Sequence, residues 1–124
     1  MDRLILPGLA PSVNHMYITA RRGHKNVRVL TKDAQQWRDE MIAIANNWRV
    51  KNKWSTADRK VIVRLWFYFP DKRRRDTHNG LKVLLDALED ALIYEDDKLA
   101  LPQVIDFEFD KQNPRIEIEF EKVE

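Results

Sequence analysis

Apolar positions change their period several times along the chain, and each period names an element. Arg3 to Leu9 reads as a short first strand that ends at Pro7-Gly8. Pro11 to Leu30 is polar and has room for a short hairpin around Arg22-Gly23-His24. After Thr31, apolar residues fall at Ala34, Trp37, Met41, Ile44, Ala45 and Trp48, one helical stripe, with Thr31 as the N-cap. Arg59 to Phe69 alternates instead. Val61, Val63, Leu65, Phe67 and Phe69 lie on one face and Arg64, Trp66 and Tyr68 on the other, and Pro70 stops the run. This pattern predicts the central strand. Its outer aromatic face then needs cover from a helix or a partner subunit.

A second helix is expected from about Asn79 to Leu92, burying Leu81, Leu84, Leu85, Leu88, Ala91 and Leu92. Pro102 to Phe109 and Arg115 to Val123 alternate again, with Asn113-Pro114 between them, and look like a closing hairpin. The order β-α-β-α-β-β gives an α+β fold: two helices packed on a mainly antiparallel sheet. The spacing of Trp37 and Trp48 assigns them to the core rather than to a base-stacking platform.

The length, 124 residues, suits a single domain over 1–124. A domain of that size buries roughly two-thirds of its unfolded surface. With no cysteine, a disulfide scaffold, a thiolate zinc site, an iron–sulfur cluster and a cysteine nucleophile are excluded. No apolar run approaches the roughly 18–20 residues of a membrane span. Met1-Asp2-Arg3-Leu4-Ile5-Leu6-Pro7 is too short and too acidic for a signal peptide, so the expectation is a cytoplasmic protein with no membrane partner.

The net charge of +2 hides an uneven distribution: residues 1–88 hold 18 Lys and Arg against 8 acids, and residues 89–124 hold 4 against 12. Either two solvated faces offset each other, or a polyanion site lies beside carboxylates with a second task. The stretch that carries chemistry begins at Lys72-Arg73-Arg74-Arg75 and runs through Asp76, His78 and Asn79 into the second helix. A strand-to-helix junction is an anion site, because free N–H groups and the positive end of the helix dipole point outward there. Either Asp76 or Thr77 can act as N-cap. Lys82 can pair with Asp86 on the face opposite the leucines, or serve a ligand.

Glu95-Asp96-Asp97 follows the helix, where its dipole disfavours negative charge. Three acids there call for an external cation or a well-solvated loop. A hard divalent cation prefers carboxylate oxygens. It can activate water and screen a phosphodiester, while a nearby lysine stabilises transition-state charge. The helix would hold Asp76 and Asp97 apart, so they can share an ion only if the 93–97 loop folds back, another strand carries it across, or a dimer partner helps.

Arg75-Asp76-Thr77-His78-Asn79, Lys82, Leu85-Asp86-Ala87-Leu88 and Asp96-Asp97 closely resemble the signature of the RusA family of Holliday junction resolvases. Pro11-Ser12-Val13-Asn14-His15-Met16-Tyr17 looks like that family's N-terminal element. The resemblance implies a RusA-like homodimer that cuts four-way DNA junctions by paired symmetric nicks in recombination and repair, dependent on Mg²⁺; Mn²⁺ becomes possible through the departure at His78. It implies Asp76, Lys82 and Asp97 as catalytic residues and Asp76, Asp97 and Asp96 as metal ligands. Asp86 matches a further acidic position.

His78 stands where the family has an aspartate. It would be either a softer ligand or a contact to phosphate. A degenerate metal site would leave a branched-DNA-binding module without catalysis, and the blandest alternative is an interaction domain with solvated charges. For DNA contact the candidates are Lys72, Arg73, Arg74 and Arg75, with Arg21, Arg22, Lys25 and Arg28 from a segment that has no acid between 18 and 32. Asn14 and Tyr17 join them by resemblance.

Overall fold

The structure, a computed structural model, describes residues 1–9, 17–73, 75–78 and 80–124. It has strand β1 (Leu4–Pro7), a hairpin of β2 (Tyr17–Arg22) and β3 (Lys25–Leu30), and helix α1 (Lys32–Lys51). Then follow β4 (Val61–Phe69), α2 (Leu81–Asp90), a 3₁₀ turn (Asp97–Leu99), β5 (Ala100–Phe109) and β6 (Arg115–Lys122). Among the described residues two helices lie on a four-stranded sheet of order β1-β6-β4-β5, and β2-β3 forms a separate two-stranded sheet. The α+β architecture is as expected, and the hairpin turns at Gly23, whose φ of +64° suits a residue without a side chain. Among the described residues no helix is long and apolar enough to cross a membrane.

The sequence reading of the last two strands is corrected. β5 and β6 are not hairpin partners: β6 pairs antiparallel with β4, whereas β5 pairs parallel with β4 on its other side. The sheet is therefore mixed. Between β5 and β6 the chain passes the end of β4, where Asp110 N–H donates to Phe69 C=O at 2.7 Å. Alternation reports which face of a strand is buried, not which strand lies beside it.

Helix α1 begins where its cap predicts: Thr31 Oγ1 accepts from Ala34 N–H at 3.2 Å. Helix α2 is shorter than its apolar pattern. It starts after Gly80, whose left-handed φ of +88° ends the preceding turn, so neither Asp76 nor Thr77 is its N-cap. It closes at Asp90, and Leu92, at φ +66°, reverses the chain and stays exposed instead of joining the buried stripe.

Val61, Val63, Leu65, Phe67 and Phe69 of β4 face the helices, and Leu4, Leu6, Ile116 and Ile118 join them. Trp48 packs with Trp54 and Phe120 in the same core, as expected of its position in the stripe. On the outer face no helix among the described residues covers Trp66 and Tyr68. Arg3 lies 3.7 Å above the Trp66 ring and Arg115 3.8 Å above that of Tyr68. Glu117 and Glu119 hold those guanidiniums, and Arg64 pairs with Glu121. Cation–π contacts of this exposed kind contribute about 0.5–1 kcal/mol each, and the arginine stems shield the rings from water. Within the subunit the arginines thus cover part of the aromatic face, and Trp66 and Tyr68 are half-buried.

Candidate active site

The basic segment leaves the sheet at the end of β4, and Asp71 organises it. Its Oδ1 accepts from Arg73 N–H at 2.9 Å and from Arg75 Nη1 at 2.8 Å. Arg75 thereby lies 5.3 Å from the centre of the Phe69 ring and braces the loop, while Lys72 and Arg73 remain exposed. The Arg75 guanidinium, helped by the Arg73 N–H, holds the Asp71 carboxyl down at about 2. The bracing is present above the ordinary pKa and is lost as pH falls through the folded value, between 3.8 and about 2. An NMR titration of the Asp71 carboxyl should find its midpoint near 2, and Arg75→Ala should return it toward the unperturbed value of about 3.9.

Asp76 and His78 follow. Asp76 Oδ1 accepts from His78 N–H at 2.9 Å, and His78 Nδ1 lies 3.6 Å from the same oxygen. Both side chains are exposed. Asn14, Arg74 and Asn79, together with the side chain of Tyr17, lie outside the described residues.

The second half of the site is built at the far end of α2. After Leu92 the chain runs back: Ile93 N–H donates to Leu88 C=O at 3.0 Å. Ala57 then clamps the segment, donating to Ile93 C=O at 3.1 Å and accepting from Glu95 N–H at 3.0 Å. Tyr94 is fully buried and its hydroxyl donates to Leu85 C=O, fixing the returning segment to the helix. Burial, then the charges of Asp97, Glu89 and Asp86, push the Tyr94 phenol far up, so it stays protonated.

Asp97 is thus brought back along the helix. Its N–H donates to Glu89 Oε1 at 2.6 Å, and Asp96 Oδ1 caps the 3₁₀ turn by accepting from Lys98 N–H at 2.9 Å. Glu89, Asp96 and Asp97 each offer a carboxylate oxygen, and these atoms lie within 4.8 Å of one another. Among the described residues this is the acidic group that could hold a cation; Asp76 and His78 are not in it. Asp97 also lines a cavity of about 260 Å³ with Lys82, Asp86, Val83 and Leu30. Lys82, near the helix start, and Asp97, beyond its end, therefore face one space.

The Lys82–Asp86 pair suggested by spacing is not formed. Arg38 of α1 takes Asp86 at 3.1 Å and also Asp90. Glu89 and Arg38 escaped the sequence reading. Glu89 had a signal, since it lies three residues after Asp86 and seven after Lys82 on one helix face. Arg38 had none, because its partner is 48 residues away.

The β2-β3 hairpin carries the other cations, with Arg21, Arg22, Lys25 and Arg28 exposed. Pairing and alternation place Arg21, opposite Asn26, and Arg28, opposite Thr19, on the face of Leu30, which borders the cavity. Arg22 and Lys25 share the other face.

A family model described as endodeoxyribonuclease RusA matches residues 8–121, nearly the whole chain. Comparison with curated proteins found no match.

Proposed function

The chain belongs to the RusA family of endodeoxyribonucleases, and from that premise we propose that it cuts four-way DNA junctions by paired symmetric nicks, in cytoplasmic recombination and repair, as a divalent-metal-dependent homodimer. The observation that carries the reading is the shared cavity of Asp97 and Lys82 beside the Glu89–Asp96–Asp97 carboxylates. An all-oxygen, all-carboxylate donor set suits a hard cation, Mg²⁺ or Mn²⁺. Glu89, Asp96 and Asp97 would hold it, and the family resemblance adds Asp76 and His78 as candidate ligands. When bound, such an ion supplies an activated water and screens the phosphodiester.

The protein's own groups do the rest. The Lys82 ammonium binds a phosphate oxygen in the cavity and stabilises its developing charge. Arg38 neutralises Asp86 and Asp90, so phosphate meets less repulsion. Tyr94 keeps Asp97 in register with Lys82 through the buried clamp. Arg21 and Arg28 from the hairpin, with Lys72 and Arg73 from the loop, bind the backbone on either side. The expected single domain and the dimer fit a substrate whose twofold symmetry asks for two equivalent centres.

The test is a labelled synthetic junction incubated with Mg²⁺ or Mn²⁺. Symmetric nicks are expected, and no cleavage under either metal removes the enzyme. In the same assay series, Glu89→Gln should lower Mn²⁺ affinity at least about tenfold by calorimetry. Unchanged affinity removes Glu89 from the ligand set. His78, in place of a family aspartate and outside the carboxylate group, favours a second reading: a branched-DNA binder with a degenerate site. That reading requires metal-independent binding without scission, and a gain of cleavage on His78→Asp.

A further inference from the structure

The end of the sheet beside the basic loop carries an exposed aromatic shelf that nuclease chemistry does not use. Phe107 and Phe109 of β5 are 54% and 47% exposed. Their rings continue a row from buried Phe69: 6.2 Å from Phe69 to Phe107, and 6.3 Å on to Phe109. With Lys72, Arg73 and Arg75 these three phenylalanines line a cavity of about 180 Å³.

A bulge creates the shelf. Between Leu65 and Trp66 the register of β5 against β4 slips by one, so that Phe67 pairs with Phe107 and Phe69 with Phe109. An unbroken register continuing from Leu65–Val104 would have brought Asp106 beside Phe67 and Glu108 beside Phe69. The extra residue turns two acids away from the cations and two aromatic rings toward them. The helices leave this corner open, and the price is exposed apolar surface.

We infer that the Phe107–Phe109 shelf, with Lys72 and Arg73 at its rim, binds an unpaired nucleotide of the DNA substrate, its base stacked on phenylalanine and its phosphate on the cations. The inference rests on the nuclease reading for the identity of the nucleic acid. Aromatic faces beside cations are the means by which proteins hold unstacked bases. Duplex DNA, with its bases stacked inward, offers only its phosphates to such a shelf. A second copy of the chain is the poorer occupant, since a twofold through the shelf would bring both sets of cations to one interface.

The test is fluorescence anisotropy of the full chain with labelled oligo(dT) and with a fully paired duplex, at several salt concentrations. Phe107→Ala/Phe109→Ala should weaken oligo(dT) binding about tenfold or more, leave duplex binding little changed, and preserve the salt slope. The double leucine variant, which keeps apolar bulk but no π-face, should lose affinity similarly, and Phe107→Trp should retain it. Equal loss on single strand and duplex, full affinity in the leucine variant, or dissociation of a dimer by the alanine pair would each overturn the inference. Junction cleavage without phenylalanine-dependent oligo(dT) binding sinks this inference alone. Phenylalanine-dependent binding without cleavage under either metal sinks the nuclease reading alone.

Discussion

Asp97→Asn should abolish junction cleavage, with a fall of about 10²–10³-fold or more, while junction affinity and thermal stability stay near wild type. The substitution is isosteric and keeps the Asp97 N–H that donates to Glu89 Oε1, so the turn remains folded. What it removes is the negative oxygen that both faces Lys82 across the cavity and sits with Glu89 and Asp96. Gel assays of a labelled junction measure the first effect, and Mn²⁺ titration of the variant measures the second: affinity should fall together with cleavage. Cleavage at the wild-type rate would mean that Asp97 is only a turn residue, and the proposed centre would then have to be sought around Asp76.

Leu65→Ala should produce the largest loss of stability of any single change considered, about 2–5 kcal/mol out of the roughly 5–15 kcal/mol available to a domain. Leu65 has no exposed surface and sits in the middle of β4, with Val104 on one side and Ile118 on the other. Truncation there opens a void bounded by both neighbouring strands, and neither can move inward without losing its own hydrogen bonds to β4. Urea denaturation should show a lower midpoint with an unchanged m-value. The same truncation at half-exposed Phe107 should cost far less, which separates the core of the sheet from its shelf.

Thr31 shows how much was legible locally. Its hydroxyl and the stripe from Ala34 to Trp48 are enough to place α1. The alternation of β4 was equally plain. The membership of Asp97 and Lys82 in one motif was readable too, through resemblance, but not their approach. By local geometry they lie toward opposite ends of a helix. Their meeting depends on the reversal at Leu92, on the clamp from Ala57 and on the burial of Tyr94, none of which leaves a periodic mark. Asp76 and His78 illustrate the converse: adjacent to Lys82 in the motif, they remain exposed and outside the carboxylate group.

By itself the sequence determined which face of α1 and of β4 turns inward, where α1 starts, that β4 is central and which acids and cations are available for phosphodiester chemistry. These follow from short-range periodicity, caps and residue type. Only the tertiary structure decided that β5 runs parallel to β4, that a bulge turns Phe107 and Phe109 toward the basic loop, that Arg38 takes Asp86, and that Glu89 joins Asp96 and Asp97. The reason is physical. A repeat along the chain specifies the face a side chain occupies, whereas a neighbour across space is selected by how whole elements pack, and that choice is made by surfaces distant in sequence.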